Sequence, residues 1–102
     1  MARQIASSIA ALLWLGVSAT PVQAGAAHYR AELATPQARA TLVVRDLVWN
    51  CGAAACVAPK SNSRPAIDCS ALVRQVGELR SFIVEGRALS PAELEKCNAR
   101  AR

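Results

Sequence analysis

Chemically reactive side chains are scarce in this chain. It has one histidine, His28, and four aromatic residues. One of the four, Trp14, lies in the opening apolar segment, which leaves Tyr29, Trp49 and Phe82 for the rest. A single histidine excludes a metal site built on paired imidazoles, and no base partner stands near a serine or cysteine in a recognisable nucleophile motif. No two cysteines have the two-residue spacing of a thioredoxin-like site, the nearest pair being Cys51 and Cys56 with four residues between them. The seven acids, Glu32, Asp46, Asp68, Glu78, Glu85, Glu93 and Glu95, fall in no spacing that singles out an acid and a base. Nothing reads as a cofactor or metal site, and the chain does not read as an enzyme. A dense basic stripe with interleaved aromatics is also missing. Past residue 24 the 11 Lys and Arg, against seven Asp and Glu, are scattered from Arg30 to Arg102. That distribution suits a solvated surface with weak attraction to anionic material, and it does not suit nucleic-acid binding.

No apolar run reaches the ~20 residues that span a bilayer. The longest, Ile5 to Val17, follows Arg3 and is broken only by Ser7 and Ser8, which is the length and polarity of a secretory signal. Pro21 ends the run, and Val22 and Ala24 place small residues where a signal peptidase reads them. The expectation is a cleavable signal over residues 1–24, cleavage before Gly25, and one small mature domain over residues 25–102. No cysteine lies near that boundary to carry a lipid, so no stable membrane anchor is expected after cleavage. The expected location is periplasmic or secreted. A domain of that size buries a small core, and exported domains of this kind are commonly reinforced by disulfides.

The mature part reads as short strands followed by helices. His28 to Ala34 alternates, with Tyr29, Ala31 and Leu33 on one face. Thr41–Val44 and Leu47–Trp49 are β-rich, and Arg45–Asp46 between them reads as a turn, the alternative being one strand with a bulge. The small residues Gly52 to Ala55 suit a hairpin tip bracketed by Cys51 and Cys56. Lys60–Pro65 is a loop. Asp68 is expected to cap a helix whose Cys69, Leu72, Val73 and Val76 recur at helical spacing, with Gly77 ending it. Ser81–Val84 is a short strand turned by Gly86. Ser90, Pro91 and Glu93 spell a capping box, and Leu89 with Leu94 a hydrophobic staple, for a last helix that carries Cys97 on its buried face.

Four cysteines allow three pairings. Cys69 and Cys97, each on the apolar side of its helix, make a natural bridge, which leaves Cys51 with Cys56 as a local pair. The fold expected is α+β: a small antiparallel sheet of three to five short strands with two helices, stapled by disulfides.

The segments VWNCGAAAC, SRPAIDC, LRSF and ALSPAELEKCNA resemble, in this order, a family of small uncharacterised exported proteins of alphaproteobacteria. The shared pattern is a Trp-x-Cys-x4-Cys hairpin, a Ser-Arg-Pro loop and a C-terminal Cys-Asn, carried here by Trp49, Cys51, Cys56, Ser63, Arg64, Pro65, Cys69, Cys97 and Asn98. The resemblance implies export and the four-cysteine framework. The function expected is a non-catalytic domain that contacts an unknown protein or envelope component, with Arg64 and Trp49 as candidate contact residues. The alternatives are a redox-active thiol protein using Cys51 and Cys56, and an inhibitor or accessory subunit of an envelope enzyme.

Overall fold

The computed structural model describes residues 27–101, so the expected signal over residues 1–24 and its cleavage site lie outside the described residues. Six strands and two helices follow in the order β1 (Tyr29–Leu33), β2 (Ala40–Val44), β3 (Leu47–Cys51), β4 (Ala55–Ala58), α1 (Pro65–Val76), β5 (Leu79–Val84), β6 (Arg87–Ala88) and α2 (Pro91–Asn98). Every strand pairing is antiparallel, and the spatial order is β2-β3-β4-β1-β5-β6. The first strand therefore lies inside the sheet, between β4 and β5, and closes together two hairpin units that α1 separates in sequence.

The α+β architecture matches the sequence reading, with six strands in place of three to five. The two strands not named individually in the sequence reading carry little signal of their own. β4 is four residues of mostly small side chains, aligned by its pairing with β3 and β1. β6 is two residues long and exists through its ladder to Ile83 and Val84. A second correction concerns Asp68. The helix starts a turn earlier than expected, with Arg64 at its N-cap and Pro65 in the first helical position. A proline needs no hydrogen-bond acceptor there and its φ is already helical, so Asp68 sits inside the first turn and is 3% exposed.

One face of the sheet is covered and the other is open. Tyr29, Ala31, Leu33, Leu47, Trp49, Cys56, Ala58, Leu79 and Phe82 point inward and meet Cys69, Leu72, Val73 and Val76 of α1 and Cys97 of α2. This is the alternation expected of strands that bury one face. At its centre Tyr29 stacks on Trp49, centroids 5.8 Å apart and 17° between planes, and meets Phe82 at 5.2 Å. The Arg45–Asp46 pair is the expected turn, both residues having positive φ, 53° and 65°. That is the twist-matched two-residue connection of a hairpin. The capping box of α2 forms as read, Ser90 accepting from the Glu93 N–H while the Glu93 side chain accepts from the Ser90 N–H.

Candidate binding surface

The cysteines are paired as Cys51–Cys56 and Cys69–Cys97. The first bridge joins residues directly opposite each other in the β3–β4 ladder. Gly52 donates to the Ala55 carbonyl one step further on, which makes the Cys51–Cys56 position a non-hydrogen-bonded pair, the kind in which facing side chains come closest. The second bridge fixes α2 to α1. Beside it the Asn98 amide oxygen accepts from the Leu79 N–H (2.9 Å) and its NH2 donates to the Leu79 carbonyl (3.0 Å), so Asn98 mimics a strand and holds α2 to the start of β5. Cys56, Cys69 and Cys97 are buried, and Cys51 is partly exposed.

Trp49, expected as a candidate contact, is 1% exposed inside the aromatic cluster. A side chain so enclosed cannot meet a partner, and the residue belongs to the core. Arg64 is exposed at the start of α1 and lines a cleft of about 590 Å³ between α1 and the β5–β6 hairpin, where Glu85, Arg87 and Glu93 also stand. The charges there balance in sign. His28 is half-buried, its Nδ1 3.4 Å from a Glu85 carboxylate oxygen.

Asp68 is the one buried charged residue of the described chain. Its Oδ2 accepts from the Tyr29 hydroxyl at 2.8 Å and from the Ser61 hydroxyl. Ser61 in turn accepts from the Ser63 N–H, so this cluster ties the 61–64 loop to β1. Burial pushes the Tyr29 phenol above its ordinary value; the Asp68 carboxylate raises it further and Ser61 opposes the rise. Each group of this cluster already has its partner, which makes it a tertiary clamp.

The surface that stands out lies on the opposite flank of α1. A groove of about 550 Å³ runs between the β2–β3 turn and the exposed side of this helix. Val43, Val44 and Arg45 form one wall, Ile67, Ala71 and Arg74 the other, and Arg100 closes the end. Three arginines line it and no acid does. Neither the Arg30–Glu32 ion pair nor the His28–Glu85 contact, the two such contacts among the described residues, involves any of the three. Val43 is 69% exposed and its cross-strand partner Val48 43%, which puts an apolar pair on the open face of the sheet at the same edge as the basic groove. Sequence reasoning missed this site because its arginines come from three separated segments. The signal available was the second stripe of α1, Ile67, Ser70 or Ala71, and Arg74, at helical spacing on the side away from the core.

Among the described residues no three His, Cys, Asp or Glu side chains gather as metal ligands, and no helix is long and apolar enough to cross a membrane. The geometry defines a small disulfide-bonded α+β domain with a basic groove. The chain belongs to the family of unknown function DUF8200, which it matches over residues 13–99. No curated protein and no solved structure matches it.

Proposed function

We propose that this chain is an exported, non-catalytic binding domain of the periplasm or extracellular space, acting through contacts with a negatively charged partner. The observation that carries the reading is the groove lined by Arg45, Arg74 and Arg100 with no acid among its lining residues. Guanidinium groups are weakly hydrated forks that recognise carboxylates in two-point fashion, and a cluster of them steers an acidic partner before contact. Export is supported by the two disulfides, since such bonds persist in oxidising compartments, and by the signal-like composition of residues 1–24. The burial of Cys56, Cys69 and Cys97 favours staples over redox chemistry, with Cys51 the one partly exposed cysteine at which exchange could begin.

Crosslinking in the periplasm of the expressing cell tests the reading. The partner captured by the wild-type chain is lost with the Arg45→Glu/Arg74→Glu/Arg100→Glu variant and retained with Arg87→Glu on the other cleft. Equal capture by both variants overturns the assignment of the groove. Intact mass of the native protein tests export: a chain beginning near residue 25 and lighter by the hydrogens of two disulfides is expected. An unprocessed chain with free thiols overturns it.

A further inference from the structure

Among the described residues strand β2 is an edge strand, paired to β3 and to no other strand. The hairpin register identifies which of its backbone groups are free. Val44 and Leu47 close the two-residue turn and Ala40 faces Cys51, so residues 40, 42 and 44 bond to β3, whereas the N–H and C=O of Thr41 and Val43 point outward. Such an edge is a template for another strand, and proteins usually blunt theirs with a bulge, a proline or an inward charge. This one has none of the three: it reads ATLVV, in unbroken register, with Val43 the most exposed large apolar residue of the described chain.

We propose that this edge receives an extended acidic segment of a partner protein, added to the sheet beyond β2; the inference rests on the binding role of the groove and names what binds there. Charge selects this occupant over a second copy. Arg39 and Arg45 flank β2 symmetrically about Leu42, so antiparallel pairing of two β2 strands in full overlap brings Arg39 of each copy to the end where Arg45 of the other begins its turn, a like-charge approach that costs stability. An acidic strand meets the same arginines as opposite charges. Side chains alternate along the incoming strand. Those on the helix side reach the groove with Arg74 and Arg100, and those on the open side lie beside the Val43–Val48 pair. The recognised pattern is therefore acidic and β-branched residues in alternation, with backbone bonds giving affinity and the arginines giving selection.

The probe is a blocked peptide of about ten residues alternating glutamate and valine, long enough for one strand, titrated calorimetrically into the oxidised protein. Binding is expected, with slowed exchange at the Thr41 and Val43 amides. N-methylation of the peptide at every second residue, on the bonding side, is expected to weaken binding at least about tenfold through lost backbone hydrogen bonds. Val43→Pro, which removes an outward N–H at a position where edge strands tolerate proline, and replacement of glutamate by lysine in the peptide are expected to do the same. Undiminished binding of the N-methylated peptide overturns strand addition and needs no protein variant that might unfold. Vesicles of phosphatidylglycerol that bind while the peptide does not also overturn it, as does a wild-type dimer in sedimentation that Val43→Pro dissolves. If neither probe binds while the arginine variant still loses its crosslinked partner, this inference fails and the binding role stands.

Discussion

Tyr29 is the only tyrosine in the chain, which makes its titration readable in isolation. The phenol lies in the core and donates to Asp68, and burial beside a carboxylate raises its pKa. Below about pH 10, the ordinary tyrosine value, the group is neutral in both folded and unfolded chains and its hydrogen bond contributes fully. Above it the unfolded chain loses its proton while the folded chain retains it, so the contribution falls as pH rises toward the folded pKa. Tyr29→Phe removes one of the two hydroxyl donors to a buried carboxylate and is expected to cost about 1–3 kcal/mol at neutral pH. The gap between wild type and variant should then narrow on going from pH 7 to pH 11 in denaturant titrations. A gap that stays constant would mean the phenol is not held neutral by the fold.

At the scale of elements, the two hairpin turns with positive φ offer a contrast. Glu85–Gly86 has glycine at its second position, φ 81°, whereas Arg45–Asp46 holds two ordinary residues at positive φ. The left-handed region costs a residue with a Cβ roughly 1–2 kcal/mol, so Asp46→Gly is expected to stabilise the protein by about 1 kcal/mol and to leave Arg45 free for binding. An unchanged melting midpoint would refute the strain. The same turn marks where the sequence was legible. Charge between two β-rich runs located it, and helical spacing located the core stripe of α1. The start of α1 was misplaced because Asp68, a good capping residue, is drawn inward by Tyr29 and Ser61, which lie 39 and seven residues away along the chain. β4, implied only by the hairpin tip before it, and β6 went unnamed for the same reason: their partners, not their own side chains, make them strands. The groove arginines share that long-range origin, since a pattern within one segment cannot report a meeting of three.

For the whole molecule, the two bridges differ in what they constrain. Cys51–Cys56 spans five residues within a hairpin already paired on both sides of the bond. Cys69–Cys97 spans 28, enclosing β5 and β6, and links the two helices. Loop-closure entropy assigns about 3.5 kcal/mol to the longer loop and about 2 kcal/mol to the shorter, each a large share of what a core this small supplies. Cys51→Ala/Cys56→Ala is therefore expected to keep the fold with a lowered midpoint, since β4 retains β1 as a neighbour. Cys69→Ala/Cys97→Ala is expected to loosen α2 and expose Phe82 and Leu72, leaving the Asn98 hydrogen bonds and the packing of Leu94 to hold the helix. Near-ultraviolet dichroism of the Tyr29–Trp49–Phe82 cluster reads the difference, persisting in the first variant and collapsing in the second. The opposite order would place the cooperative centre at the hairpin tip and require the aromatic cluster to depend on the β3–β4 bridge.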